Sequence, residues 1–288
     1  MIKVGDLPSG FVRTQMELHG AAGRTWLDRL PGCLEACAQR WGLTLGPAFP
    51  NLSYHYAAPA TCADGTPVVV KACSPTGEFA GEAGTLRVYD GRGAARLLAV
   101  DTEREVMLLE RLRPGSPLGL VQDDEEATAI AAGVMRQLWR PVPEAHPFQS
   151  VTDWAKGFGR LRERYGGATG PFPRALVEEA ERLYADLGAS AATPVVLHTD
   201  LHHGNILSSG ARGWLAIDPK GIVGEREYET GAFLRNGLPE ALPANEVAAL
   251  LQRRMGPLPI VGSRGLREPR RRADDGGRPS GRTGRKGV

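Results

Sequence analysis

No part of the chain limits the possible folds more than Leu197-His198-Thr199-Asp200-Leu201-His202-His203-Gly204-Asn205-Ile206-Leu207. A polar loop is held there between apolar runs too short to be helices. Val195 to Leu197 is predicted to be a short buried strand, and Asn205 to Leu207 with Trp214 to Ile217 a hairpin-like pair. The second arm ends in Ile217-Asp218-Pro219-Lys220-Gly221, so Asp218 stands thirteen residues after Asn205. A loop rich in His, Asp and Asn between such strands is affordable only where its polar groups meet one another or a ligand.

The order His198, Asp200, Leu201, Asn205 is H-x-D-L-x-x-x-N, the spacing of a kinase catalytic loop. The chemistry explains the residue types. A carboxylate, Asp200, accepts or orients the hydroxyl proton of the acceptor. A carboxamide five positions on, Asn205, turns back to hold a metal ion bridging nucleotide phosphates. Asp218 falls where such a site needs its second metal-binding carboxylate, and two hard oxygen ligands suit Mg²⁺. Zinc is a poorer match. The adjacent His202 and His203 seldom converge on one ion, and no third spaced His or Cys completes a set with His198.

Upstream, Val68-Val69-Val70-Lys71 puts a lysine near the end of a β-branched strand predicted over Pro67 to Cys73, as in the V-A-I-K strand whose lysine contacts phosphates. Glu82, on a helix predicted over Glu78 to Tyr89, is its expected partner, with Glu78 the competitor. Neither G-x-G-x-x-G nor a Walker A sequence occurs, so backbone amides around Ser53 to Ala57 are expected to cover the phosphates. Leu108 to Leu112 sits where an interlobe hinge would meet adenine, with an ordinary edge strand as the competing reading. Ser53, Glu110 and Leu112 therefore join Lys71 and Glu82 as candidate nucleotide residues.

The remaining pattern predicts helices over Thr25 to Leu45, Asp123 to Leu138, Trp154 to Tyr165 and Pro173 to Leu187. Strands are predicted over Leu52 to Ala58, Ala95 to Val100 and Glu105 to Glu110. Strands crowd the first half and helices the second. The expected organisation is α+β and bilobal: a small sheet-rich lobe over 1–112 and a larger helical lobe over 113–255, joined near Leu112 to Pro117. From Gly256 the chain turns rich in Arg, Gly and Pro, and residues 256–288 are expected to be a disordered basic tail. That tail carries +6 of a total formal charge of +2, leaving −4 on the body, which suits a cationic small molecule better than nucleic acid. A tail of this composition also matches an unselected reading of GC-rich DNA. Cys33, Cys37, Cys62 and Cys73 lack zinc-knuckle spacing and are expected to be free thiols. No apolar run approaches the ~20 residues of a membrane span, and the start lacks a signal-like stretch. The expectation is a cytoplasmic monomer with no membrane partner.

Taken together, these segments resemble the aminoglycoside phosphotransferase family, and within it the streptomycin 6-kinase and hydroxyurea phosphotransferase group. The likeness runs through Leu52-Ser53-Tyr54, Pro67 to Lys71, Glu82 to Leu86, Asp90 to Ala94 with Arg96-Leu97-Leu98, and Leu108 to Gly115. His198 to Leu207, Ile217 to Gly221 and Tyr228 to Asn236 complete it. The resemblance implies a protein-kinase-like fold, ATP with Mg²⁺, and O-phosphorylation that inactivates a cationic antibiotic, streptomycin at its streptidine ring being the first candidate. It makes Asp200 the catalytic base, Asn205 and Asp218 the metal ligands, and Lys71 the phosphate contact. Glu225, Glu227 and Glu229 would lie near the acceptor, where carboxylates can grip guanidinium groups, with Asp153 and Trp154 as further candidates. Alternatives are a kinase for another hydroxyl-bearing compound, including hydroxyurea, and a nucleotide-binding homologue without turnover. Related proteins continue past the position of Met255 with Trp- and Leu-rich helices, so the helical lobe is expected to be incomplete.

Overall fold

A computed structural model describes residues 7–189, 193–238 and 243–259. The first helix, α1 (Ser9–Trp41), starts well before the expected Thr25 and bends at Gly20, whose φ of 54° and ψ of −123° are not helical. Pro31 lies inside it without ending it. The helix stops at Gly42, in the left-handed region, and the chain turns directly into β1 (Leu43–Leu45), which had been expected to be helical.

The strands β2 (Tyr56–Cys62), β3 (Pro67–Ala72), β4 (Leu97–Asp101) and β5 (Val106–Glu110) complete a five-stranded antiparallel sheet in the order β1-β2-β3-β5-β4. Strand β2 lies four residues later than the aromatic run predicted, leaving Leu52 to His55 as a bent segment above the sheet. Leu27, Leu30, Leu34 and Cys37, at steps of three and four, seal one face of the sheet against Tyr56, Ala58, Val68, Val70, Val106 and Leu108. Side chains alternate along a strand. With Val68 and Val70 committed to α1, Val69 and Lys71 must point the other way.

Helix α2 (Phe79–Tyr89) crosses that other side. The larger lobe holds α3 (Asp124–Leu138), α4 (Val151–Arg164), α5 (Arg174–Ala189), α6 (Thr230–Arg235) and α7 (Ala244–Met255). It also contains short strands, of which the one over Val195–Leu197 and the hairpin pair after it were expected and the others were not. Strands β6 (Arg140–Pro141), β7 (Gln149–Ser150), β8 (Val195–Leu197) and β11 (Ile222–Gly224) form a sheet in the order β6-β8-β11-β7, and β9 (Ile206–Ser208) pairs with β10 (Trp214–Ala216). A continuous apolar core joins α2 and α3 to these strands through Leu86, Met107, Leu118, Met135 and Leu201.

Leu258 is 2% exposed within that core, and Arg136 donates to the Pro257 carbonyl. The packed chain thus runs to Pro259, past the Gly256 boundary expected from composition. The rest of the expected tail, residues 260–288, lies outside the described residues. Among the described residues no helix is long and apolar enough to cross a membrane, and the four cysteines are free.

Candidate active site

Hairpin register brings two of the candidate ligands together. Ala216 pairs with Ile206, and the Ile217 amide donates to the Asn205 carbonyl at 2.9 Å, so Asn205 and Asp218 leave the same end of the β9–β10 hairpin. The loop from His198 to Asn205 enters from β8, whose residues are all buried. Asn205 Nδ2 donates to the Asp200 carbonyl at 3.0 Å, closing the loop and leaving Oδ1 as the atom able to take a cation. His198 is fully buried, and desolvation pushes its imidazole down to about 3. The neutral ring donates from Nε2 to the Ile217 carbonyl (2.8 Å) and accepts the Asp200 amide at Nδ1 (3.3 Å), tying the loop to the strand that delivers Asp218.

Strand alternation delivers Lys71. Its Nζ lies 2.7 Å from both Glu82 oxygens and also bonds Asp218 Oδ1. Lys71 and Glu82 are both buried, and an ion pair so placed holds when its geometry is good and its polar atoms are satisfied. Glu78, the competing partner, sits in a neighbouring network. It bonds Lys220 at 2.9 Å and lies 3.4 Å from His55 Nε2, and the His55 bond is the main cause that brings its carboxyl down to about 2.

Lys71, Glu82, Asp200, Asn205 and Asp218 share one interlobe cleft of about 520 Å³, lined also by Ser53, His55, Glu110, Leu112 and Lys220. Ser53 is on its exposed rim. The segment above the cleft contains no glycine and is anchored instead, by Gln15 Nε2 to the Tyr54 carbonyl (2.7 Å) and by the Ser74 amide to His55 Nδ1 (3.1 Å). Glu110 borders the cleft, but its carboxylate accepts the Arg96 amide at 3.0 Å and pairs with Arg212. That side chain ties the β5 end to the β9–β10 turn.

The expected acceptor residues divide. Trp154 and Asp153 line a second hollow of about 910 Å³ on the larger lobe, together with Lys156, Phe158, Arg160 and Tyr184. Asp153 already has a structural task. It forms the capping box of α4 with Ser150 and holds Lys156 at 2.6 Å, and the Lys156 bond is the main cause that keeps its carboxyl well below the usual range. Glu225 and Glu227 lie on the turn before α6, outside the linings of both hollows.

Glu229 corrects the expectation outright. It is 0% exposed, and its two oxygens accept the backbone amides of His198 (2.7 Å) and Thr199 (2.8 Å). Glu229 therefore braces the loop from behind and cannot touch an acceptor. Burial pushes its carboxyl up to about 7. The brace has a clear purpose, because Thr199, β-branched, sits at φ 63°, where such residues are strained. Asp218, at φ 68°, is a second positive-φ residue at the site. Such conformations cost on the order of 1–3 kcal/mol each and persist only where the surroundings enforce them.

Three further residues escaped the sequence reading. Arg235 approaches Asp200 Oδ1 at 3.8 Å from the end of α6. Lys220 borders the cleft, and Tyr228 bonds Tyr184 hydroxyl to hydroxyl at 2.7 Å while packing edge-on to Trp154. Arg235 and Tyr228 fall inside the segment Tyr228 to Asn236, which carries part of the family likeness, but residue type alone did not mark them.

A sheet-rich lobe and a helical lobe closing on a Lys–Glu pair and an Asp, Asn, Asp set define a kinase-like phosphotransferase with an alcohol group as acceptor. The model of the aminoglycoside/hydroxyurea antibiotic resistance kinases matches residues 56–259, and the chain belongs to that family. It is 35% identical to a hydroxyurea phosphotransferase of Kitasatospora aureofaciens over 238 residues, which is 81% of this chain and 69% of that protein. Against a streptomycin 6-kinase of Streptomyces glaucescens it is 30% identical over 259 residues, 88% of this chain and 82% of the relative. Among solved structures, a choline/ethanolamine kinase family protein from Mesorhizobium loti superposes with a TM-score of 0.57 at 17% identity, covering 80% of this chain and 76% of that one.

Proposed function

We propose that this chain transfers the γ-phosphoryl group of ATP, with Mg²⁺, to a hydroxyl of streptomycin on its streptidine ring. The observation that carries this is the convergence of Lys71, Glu82, Asp200, Asn205 and Asp218 on one cleft between the lobes. Residues up to 112 serve the nucleotide and 113–255 supply the catalytic loop and the acceptor side, in a monomer acting on a small cationic molecule.

The donor atoms suit the cation. Asn205 Oδ1 and an Asp218 carboxylate are hard oxygens at one end of a hairpin, and the ammonium of Lys71 shows that Asp218 accepts positive charge there. A divalent cation held by these two supplies charge to the phosphate oxygens when bound. The chain's own groups do the rest. Glu82 keeps Lys71 aimed at the phosphates, while Asp200 orients the acceptor hydroxyl and takes its proton. The hydroxyl oxygen bonds to the γ-phosphorus as the bond from that phosphorus to the β,γ-bridging oxygen breaks, and ADP departs. Arg235, 66% exposed beside Asp200, is placed to meet the charge of the transferring group.

One observation supports a second acceptor. The hollow at Trp154 carries Lys156 and Arg160 as well as Asp153, which favours a small neutral hydroxyl compound such as hydroxyurea over a guanidinium-bearing one. Incubation with ATP and Mg²⁺ and either compound, followed by mass spectrometry, decides between them by the gain of one phosphoryl group. Asp200→Ala should lose about 10²–10⁴-fold in kcat while still binding nucleotide. If neither compound nor any member of an aminoglycoside panel gains mass, the substrate assignment fails.

A further inference from the structure

Behind the Lys71–Glu82 pair lie two side chains that phosphoryl transfer does not use, His55 and Cys73, and they cluster with Glu82 itself. His55, Cys73 and Glu82 are all buried, and each offers one donor atom within 4.8 Å of the others. Strand register assembles them. Tyr56 pairs with Ala72, so His55, just before β2, and Cys73, just after β3, leave the same end of the sheet. Helix α2 lays Glu82 across that end, with Cys73 Sγ 3.9 Å from Glu82 Oε2. His55 and Glu82 border the cleft, which gives an ion a way in.

We propose that His55, Cys73 and Glu82 form a second cation site, selective for a soft divalent ion such as Zn²⁺ or Cd²⁺, whose occupation disables the kinase by drawing Glu82 away from Lys71. The donor types favour this. One sulfur, one imidazole nitrogen and one carboxylate oxygen are a zinc-type set, whereas Mg²⁺ demands oxygens in an octahedron. The site therefore discriminates against the cation that the transfer reaction needs. Bonds of about 2.0–2.3 Å place tetrahedral ligands roughly 3.5 Å apart, so small side-chain shifts suffice.

Charge favours it as well. Lys71 and Lys220 face Glu78, Glu82 and Asp218, a net of −1 with His55 and Cys73 neutral. Burial keeps the Cys73 thiol protonated and the His55 ring uncharged, the latter with a lone pair to give. On binding, the thiol proton leaves to the buffer, and a divalent ion with its thiolate adds +1, which brings the group to neutrality. His55 gives up one contact, either Nδ1 with the Ser74 amide or Nε2 with Glu78. Lys71 loses one or both Glu82 oxygens, and with them the tether that aims it at phosphate.

The probe is Co²⁺ titrated into the full chain without Mg²⁺ or nucleotide. A thiolate-to-cobalt charge-transfer band should saturate at one equivalent and vanish on adding Zn²⁺. Cys73→Ser should lack the band and Cys62→Ser should keep it. In transfer assays with excess Mg²⁺, Zn²⁺ should inhibit the wild type reversibly, with chelator restoring activity, and Cys73→Ser should be at least about ten-fold less sensitive. Thermal melting checks that the variant is folded, and Cys73→Ala, which buries no hydroxyl, makes the same comparison if the serine form is unstable. The proposal fails if the band is absent or survives in Cys73→Ser. A saturated site with transfer unaffected overturns the switch. Because the cobalt readout needs no catalysis, its failure is distinguishable from failure of the kinase assignment.

Discussion

Replacing Glu229 with Gln should stabilise the protein at alkaline pH while slowing it. In the folded state burial raises this carboxyl from 4.5 to about 7. A folded-state value above the unfolded one means that the group's contribution is intact below pH 4.5 and is lost as pH rises through 7. At 1.36 kcal/mol per tenfold change in proton affinity, keeping the carboxylate ionised and buried costs about 3 kcal/mol at pH 8. A protonated carboxyl and a carboxamide have the same shape, and each accepts one backbone N–H and opposes the other. Glu229→Gln and wild type should therefore be nearly equal in stability near pH 4.5, with the variant ahead by about 3 kcal/mol at pH 8.

Catalysis should move the other way. The ionised Glu229 accepts both the His198 and Thr199 amides, and the carboxamide can accept only one. A lost loop hydrogen bond is worth about 1–1.5 kcal/mol, or roughly ten-fold in kcat if the transition state needs Thr199 held at φ 63°. Urea titrations of both proteins from pH 5 to 8, followed by tryptophan fluorescence, measure the first effect, and initial rates at pH 8 the second. An offset that does not change with pH would show that Glu229 does not titrate in this range, and the argument for a carboxylate under strain would collapse.

Other perturbations test the scaffold and the cation. Arg254, 3% exposed, pairs with Asp124 at 2.6 Å and donates to the Asn236 and Gly237 carbonyls, so Arg254→Met should lose about 1–3 kcal/mol in denaturant titration by leaving those carbonyls without their donor, Asp124 being exposed enough to find water. Leu34→Ala, at a 0% exposed position under the sheet, should cost about 2–5 kcal/mol with kcat nearly unchanged in the surviving folded fraction. Asn205→Ala should raise the Mg²⁺ concentration for half-maximal rate at least about ten-fold, and EDTA should abolish transfer by the wild type.

The placement of the cleft residues was legible because strand periodicity turns spacing into position. Once Val68 and Val70 face α1, Lys71 has only the cleft to enter. Once Asn205 and Ile217 share a hairpin end, Asp218 follows. The sheet boundaries were less legible. The aromatic Tyr54-His55-Tyr56 run imitates a strand, and Pro59 discourages extending one across Tyr56 to Cys62. Asp153 had a signal that was passed over, since Ser150-Val151-Thr152-Asp153 is a capping-box pattern and explains the carboxylate without a ligand. Leu258 was hidden by its neighbours, because glycine, proline and arginine set the composition while one leucine finds the core.

Glu229 shows where such reading ends. Its bonds run from a side chain to backbone amides some thirty residues earlier, and a backbone amide has no residue type to leave in the sequence. The same limit applies to the acceptor. Lys71, Asn205 and Asp218 are set by register, whereas the hollow at Trp154, where the acceptor was sought, depends on how α4, α5 and the turn before α6 pack, through Trp154–Tyr228 and Tyr184–Tyr228 ring contacts. Packing of this kind tolerates substitution if volume is kept. A fold of this kind can therefore keep Lys71, Glu82, Asn205 and Asp218 in register while the side chains lining the hollow change, and carboxylate counts after Asp218 did not foretell where Glu225, Glu227 and Glu229 would lie.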